Sequence, residues 1–357
     1  MSSPAGDPRP RVAIILVTYD ARDRLERLYD SIVSLQYPPD RRALLVIDNT
    51  PCRSSAEWLA AHAPDVRVIV PGENTGYAGG NAIGMKEALG MGVDYVAILT
   101  QDTLPDPSWL HELVEVAEGH PRAGVIQPKI LRRDEHGGVV VNSWGNDLHF
   151  LGIGVSGGDG RPDRPLEVRE IGYASGASLM CRAAALRHVG SFDPAFFMYH
   201  EDTDLSWRCR LAGYEVLVAP RAVVHHDYDF GRNPDKIFYI ERNRLINLLT
   251  HYRWRTLVLL APAFCAFETM MLAHALWTGW FWKRLSVYGF YLRPTTWAYL
   301  RRKRRRIQSL RRVPDREVAR HLTGAINFPA LDNFLLRYLV NPVFGVYWQA
   351  IRRLIAW

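Results

Sequence analysis

Four short apolar runs in the first hundred residues constrain this chain more than any other feature. VAIILVT (12–18), ALLVI (43–47), VRVIV (66–70) and YVAIL (95–99) each read as a buried strand. After the first run, Leu25, Leu28, Ile32 and Leu35 recur at helical spacing over 21–36, and Tyr37-Pro38-Pro39-Asp40 ends the pattern. Segments 54–62 and 81–90 also read as helices. Strands that alternate with helices form right-handed βαβ units around a doubly wound, mostly parallel sheet. At 357 residues and 48% hydrophobic, the chain can build one large domain with an appendage.

Such sheets gather ligands at the carboxyl ends of their strands. The polar residues found there are Thr18-Tyr19-Asp20, Asp48-Asn49 and, after Thr100-Gln101, Asp102. A carboxylate after an early strand can hold a ribose or a base, and one after the fourth can hold a divalent metal on a diphosphate. Each also has a plainer reading: Asp48-Asn49 and Asp102 as turn formers, and the glycine-rich stretch from Asn74 to Asn81 as a flexible turn. That stretch does not fit G-x-G-x-x-G and follows the third strand, so it is no dinucleotide fingerprint.

Beyond about residue 124 the rhythm changes to short apolar pieces split by glycine-rich turns, which predicts a mixed extension of the sheet with long loops. A helix is expected from about Glu201 to Ala212, and a strand over 215–219 leads into His225-His226. Glu201-Asp202 at a helix start suits N-terminal capping in any protein, and the two histidines suit a structural role. From about 236 the chain turns helical. Four scattered cysteines without a CxxC pair favour a reducing compartment. The polar, proline-rich start lacks an apolar core, which predicts a disordered tail over 1–10 and no secretory signal.

The order of these pieces resembles the family 2 glycosyltransferases, and within them the bacterial rhamnosyltransferase-like branch. The matching stretches are VTYDARDRLERLYDSI, LLVIDNT, NTGYAGGNAIGMKEAL, ILTQDTLPDPSWL, GASLMCRAAALRHVGSFDPAFFMYHEDTDLSWRCRLAGYEV, VVHHDYDFGRN and FYIERNRLINLL. They cover about residues 12–250, and FFMYHEDTDLSWR is the most specific. The resemblance implies a GT-A fold over 11–235 and transfer of a sugar, rhamnose by branch, from a nucleoside diphosphate with inversion. It implies that Thr18, Tyr19 and Asp48 touch the nucleoside. Asn74, Gly76, Gly80 and Asn81 would line the nucleotide-sugar pocket with Gln101 and Asp102. Asp102 would be the last aspartate of a DxD motif, holding Mg²⁺ or Mn²⁺ with His226, and Asp202 the catalytic base. The family's first DxD aspartate is Thr100 here, Glu201 is the alternative base, and His225 the alternative ligand.

The region 236–357 carries a different message. Residues 256–282 are apolar enough for the roughly 20-residue span of a bilayer, yet include Pro262 and Glu268. A carboxylate there costs roughly 2.5–3.5 kcal/mol on insertion scales. Trp277, Trp280 and Trp282 cluster at one end, as interfacial aromatics do. Eleven Lys/Arg and no acid follow between Lys283 and Arg312; removing them from the net +7 leaves −4 for the rest. The favoured expectation is a helical region in the cytoplasmic membrane interface, beside a lipid-linked or glycan acceptor, each cation contributing about 1 kcal/mol on an anionic leaflet. A single span and a buried helical core with a basic face are the alternatives. Two other functions compete with transfer. One is nucleic-acid binding through 283–312, which lacks interleaved aromatics, so no nucleic acid is expected. The other is an inactive GT-A scaffold, disfavoured by the presence of both Asp102 and Asp202.

Overall fold

A strand accepts apolar side chains at every position only where both of its faces are covered. In the computed structural model, which describes residues 7–227, 235–326 and 334–357, β1 (Val12–Thr18) is buried at every position. It is followed by α1 (Arg22–Val33), β2 (Arg42–Asp48), α2 (Ser54–His62), β3 (Arg67–Ile69), α3 (Gly76–Gly90) and β4 (Tyr95–Thr100). These strands lie in the order β3-β2-β1-β4 and run parallel. Most of the tail expected over 1–10 lies outside the described residues.

The chain continues through β5 (Thr103–Pro105), α4 (Trp109–Gly119), β6 (Ala123–Arg133), β7 (Val139–Ser143), β8 (Asn146–His149), β9 (Gly154–Ser156), β10 (Arg169–Glu170) and β11 (Ser178–Arg182). Next come α5 (Ala183–Val189), α6 (Glu201–Leu211) and β12 (Glu215–His226). Strand β11 sits antiparallel between β4 and β6, and β6 pairs parallel with β12. Helices α1, α2 and α4 pack on one face of the sheet and α3, α5 and α6 on the other, each over its own apolar cluster.

The glycine-rich stretch departs from the sequence expectation. Helix α3 begins at Gly76, five residues earlier than its apolar pattern indicates. Close packing explains this: a Cβ on Gly80 would come within 2.8 Å of Val17, and one on Gly84 within 2.6 Å of Ile15. These glycines let the helix backbone lie directly on β1, which offsets their low helix propensity.

The C-terminal part comprises α7 (Lys236–His251), α8 (Trp254–Thr278), α9 (Phe281–Tyr291), α10 (Pro294–Leu310), α11 (Asp315–Ala319), β13 (Leu322–Thr323) and α12 (Asn341–Leu354). Strand β13 pairs with β8 in a second sheet of order β13-β8-β9. One apolar cluster unites Leu148 and Trp207 with Leu245, Leu260 and Trp348. The chain on either side of residue 235 therefore shares a core.

Glu268 is not left alone in apolar surroundings. It pairs with Arg244 at 2.5 Å and with Arg284, and both arginines also bind Glu241. This buried four-charge cluster ties α7, α8 and α9 together. Burial alone would raise Glu241, but the two arginines hold it down at about 2. Pro262 sits inside α8 without ending it. The basic segment is also partly internal: Arg284 and Lys303 are buried, Arg304 donates to the carbonyls of Leu249 and Tyr252, and Arg311 pairs with Asp315 at 2.6 Å.

Among the described residues, α8 is the one helix long and apolar enough to cross a membrane. All but three of their large exposed apolar side chains lie at or beyond Trp254, including Trp277, Trp282, Leu292 and Phe334.

Candidate active site

At the carboxyl end of β1 the Thr18 hydroxyl donates to Asp48 Oδ1 at 3.2 Å. Asp48 also accepts the backbone N–H groups of Thr50 and Ala56, at 3.0 and 2.8 Å. It thus joins two strand ends to the start of α2. Tyr19 N–H donates to Gln101 Oε1 at 2.7 Å, and Gln101 Nε2 returns a bond to Tyr19 O at 2.9 Å. This reciprocal pair links β1 to the residue after β4 and leaves the Tyr19 ring 49% exposed.

Gly76 adopts φ +70° against the carbonyl of Phe197, where a Cβ would approach to 2.4 Å. Its N–H is held by Asn74 Oδ1 at 2.9 Å. Asn81 donates to Tyr77 O at 3.0 Å, and its own Oδ1 is buried without a hydrogen-bond partner among the described residues. The sequence expectation has Thr18, Asp48, Gly80 and Asn81 facing a donor sugar or nucleoside. All four are buried here: Thr18 and Asp48 bond across β1 and β2, Asp48 also holds the start of α2, Gly80 lies against Val17 of β1, and Asn81 bonds back to Tyr77 within α3.

Asp102 follows β4, and its Oδ1 lies 3.3 Å from His226 Nε2. The pairing of β12 with β5 sets this contact, because His226 stands opposite Thr103 in the register. Side chains alternate along a strand, so His225 points to the other face and meets Asp106 at 3.3 Å. Of the two histidines, His226 is the one that meets Asp102. Burial raises the Asp102 carboxyl, but His226 and the Thr100 hydroxyl outweigh it and hold it below its ordinary value. Among the described residues no group of three or more His, Cys, Asp or Glu converges as a ready metal cage.

Glu201 and Asp202 open α6. Asp202 Oδ2 accepts Gly176 N–H at 2.8 Å, and Oδ1 accepts Thr203 N–H at 2.6 Å. Glu201 is almost enclosed, and its Oε2 has no hydrogen-bond partner among the described residues. Burial pushes both carboxyls up, and the Asp202 charge pushes Glu201 further. Asp202 is the more open of the two. The residues just before β11 link the end of β4 to the start of α6: Thr100 N–H donates to Ala177 O at 3.0 Å, next to the Gly176 that binds Asp202. The Tyr77 hydroxyl donates to Gly176 O, and burial together with the charges of Glu201, Asp202 and Asp102 raises that phenol. Glu201, Asp202 and the Tyr77 ring thus close around Gly176, where a Cβ would lie 3.4 Å from each of them.

Comparison with known proteins bears on this arrangement. The family model described as Glycosyl transferase family 2 matches residues 13–189. An N-acetylglucosaminyl-diphospho-decaprenol L-rhamnosyltransferase of Mycobacterium tuberculosis is 30% identical over 248 residues, covering 62% of this chain and 78% of that protein. This chain belongs to glycosyl transferase family 2. A pre-mycofactocin glycosyltransferase of the same organism is 27% identical, over 63% of this chain and 44% of its own. The GT-A fold is shared with GalNAc-T7, solved with UDP, GalNAc and Mn²⁺, at TM-score 0.56 and 14% identity over 68% of this chain and 48% of that one. It is shared too with S. aureus TarS 1–349, at TM-score 0.50 and 13% identity over 96% and 90%.

In this family 2 glycosyltransferase, three residues at the centre of the site escaped the sequence reading. Gly176 binds Asp202 and the Tyr77 hydroxyl, and Asn142 Oδ1 lies 3.4 Å from His226 Nδ1. Tyr77 and Gly176 stood inside matching stretches without any pattern of their own. Asn142 ended a plain apolar run, VVVN, and nothing local linked it to a histidine 84 residues away.

Proposed function

We propose that this transferase is an inverting enzyme that moves a sugar, rhamnose by preference, from a nucleoside diphosphate to a hydroxyl of a lipid-linked acceptor at the cytoplasmic face of a membrane. The observation that carries the reading is the Gly176–Ala177 backbone, which donates to a partly open carboxylate, Asp202, on one side and accepts Thr100 N–H, two residues before the Asp102 paired with His226, on the other.

An acceptor hydroxyl is a weak nucleophile until a base takes its proton. Asp202 takes that proton on its carboxylate, which the N–H groups of Gly176 and Thr203 hold in one orientation. The acceptor oxygen forms its bond to the anomeric carbon while that carbon's bond to the diphosphate oxygen breaks, and attack from the opposite side inverts the configuration. The exposed Tyr19 ring supplies a surface for the nucleoside. The donor set of Asp102 and His226, an ionised oxygen and an imidazole nitrogen, fits Mg²⁺ or Mn²⁺ with phosphate and water completing the shell. Asp102 and His226 would hold such an ion, which would supply positive charge against the departing diphosphate.

The decaprenol-linked substrate in the mycobacterial relative's name supports a lipid-linked acceptor. The exposed tryptophans and leucines of 254–292 support a bilayer beside the site, with the helices lying in its interface. The free cysteines support a cytoplasmic setting. A screen of dTDP-, UDP- and GDP-sugars tests the whole reading, read by thermal stabilisation and by sugar release or transfer with Mn²⁺. One nucleotide class should stabilise the chain and turn over. A chain that neither binds nor turns over any of them is not this enzyme.

A further inference from the structure

The segment that delivers Glu201 and Asp202 to the site has an unfavourable backbone. Five non-glycine residues among those described have positive φ, and three of them, Phe197, Tyr199 and His200, fall here at 62°, 66° and 66°. Side chains with a Cβ persist in that region only where their surroundings impose it. The same segment touches the donor side of the site, because Ala78 N–H donates to Phe197 O at 2.9 Å.

What imposes the conformation is one face of α7. Asn243 Nδ2 lies 3.0 Å from Phe196 O, 2.9 Å from Met198 O and 2.7 Å from Tyr199 O. Two amide hydrogens thus serve three carbonyls in shared bonds. Arg242 Nη2 donates to Ala195 O and Phe196 O, both at 2.8 Å, and Asn247 Nδ2 donates to His200 O at 3.2 Å. The orientation of Asn243 is itself fixed, since its Oδ1 accepts Arg242 Nε at 2.9 Å. Both asparagines are fully buried. Arg242 is stacked over Tyr239 and Phe290, at 5.0 and 5.3 Å, and the Tyr239 ring in turn stacks on Phe197 at 5.2 Å. Helix α7 is anchored from behind by the Glu241–Arg244–Glu268–Arg284 cluster.

We infer that Arg242, Asn243 and Asn247 are positioning residues whose donors collect the carbonyls of residues 195–200, hold the strained segment, and so aim the carboxylates of Glu201 and Asp202. The chemistry required is specific. Five consecutive or near-consecutive carbonyls turned to one side need donors, and an aspartate of the same shape as Asn243 would present oxygens to oxygens. The effect on transfer rests on Asp202 being the base; the effect on the segment does not.

The test uses the full chain with Asn243→Ala, Asn243→Asp and Asn247→Ala. Transfer is followed with whichever sugar nucleotide of the screen turns over, and amide hydrogen exchange is followed across the chain. A misplacement of about 1 Å costs ~100-fold in rate, so kcat should fall by ~100-fold in Asn243→Ala while the donor KM stays within ~3-fold. Asn243→Asp should fall further, and Asn247→Ala less. Exchange should quicken over 195–204 and stay unchanged in β1, β2 and β4. An unchanged kcat, or a loss carried entirely in donor KM, overturns the positioning role. Exchange that quickens everywhere, or nowhere, in both Asn243→Ala and Asn247→Ala overturns the clamp. If Asn243 variants do not fold, Asn247→Ala alone decides by the same criteria. If the wild-type chain turns over no donor, the transferase reading fails while the exchange result still decides the clamp.

Discussion

Lys303 Nζ stands 2.8 Å from Asp204 Oδ1, and the same ammonium lies 2.8 Å from Asp193. A residue from the middle of RRKRRR is therefore an internal partner of α6, the helix that carries Glu201 and Asp202. Asp204 is fully buried and binds Arg208 through its other oxygen at 2.8 Å. Burial alone would raise its carboxyl, but Arg208, Lys303 and His251 outweigh burial and hold it well below the ordinary range. The cations of α10 thus divide into an internal set and an outward set.

That division is measurable. Removing one partner of a buried ion pair costs about 3 kcal/mol or more, so Lys303→Met should lower the urea midpoint sharply. Arg301→Gln and Arg305→Gln change exposed side chains and should shift stability by no more than about 0.5 kcal/mol. Equal losses at all three positions would show that Lys303 has no special place in the fold.

Asp202→Asn should retain nucleotide binding and lose transfer by ~100-fold to ~10,000-fold, because an amide cannot accept the hydroxyl proton. The pH dependence has a definite sign. Burial raises Asp202, the base must be ionised, and kcat therefore falls as pH falls through that raised value. The acid limb should lie above the ~3.9 of a free aspartate. Glu201→Gln should keep the limb, and residual activity of Asp202→Asn should lack it. A limb that vanishes in Glu201→Gln instead would make Glu201 the base.

Asp102→Ala and His226→Ala should weaken binding of the matching nucleoside diphosphate in Mn²⁺ by ~10-fold or more, the scale on which metal-site substitutions act. In EDTA each variant should bind like the wild type. Titration calorimetry under both conditions separates the cases, and equal losses with and without metal would mean direct contact with the nucleotide. His225→Ala, whose partner is Asp106, should leave metal-dependent binding intact.

Trp277, Trp282 and Leu292 are among the most exposed apolar side chains of the described residues. Their joint replacement by serine should abolish the salt-resistant part of sedimentation with phosphatidylglycerol vesicles, since inserted apolar area is not screened by salt and the remaining charge attraction is. Replacing Arg301, Arg302 and Arg305 by glutamine should weaken binding and leave the remainder less sensitive to salt. A wild-type chain that stays in the supernatant with these vesicles at low salt would remove the membrane from the account. Retention after alkaline carbonate would favour a spanning α8 over an interfacial one.

Local pattern determined much of this protein. A run such as VAIILVT has one environment available to it, burial on both faces, and that alone places β1 in the interior of a doubly wound sheet. Polar residues that end such runs must emerge at the sheet edge, so Tyr19 and Asp102 were legible as neighbours across parallel strands. Tertiary structure decided the rest, through partners far apart in the chain. His226 meets Asp102, and His225 does not, only because β12 pairs with β5 in one register. Gly76 starts a helix because Phe197 and β1 leave no room for a Cβ on its first turns. Glu268 reads as a misplaced charge in an apolar run until Arg244 and Arg284 arrive from two other helices. Lys303 reads as one surface cation among many until Asp193 and Asp204, about a hundred residues earlier, bury it. Hydrophobic periodicity is a property of neighbours along the chain. The desolvation of a charge depends on whatever the fold brings against it, and no local stretch of sequence carries that.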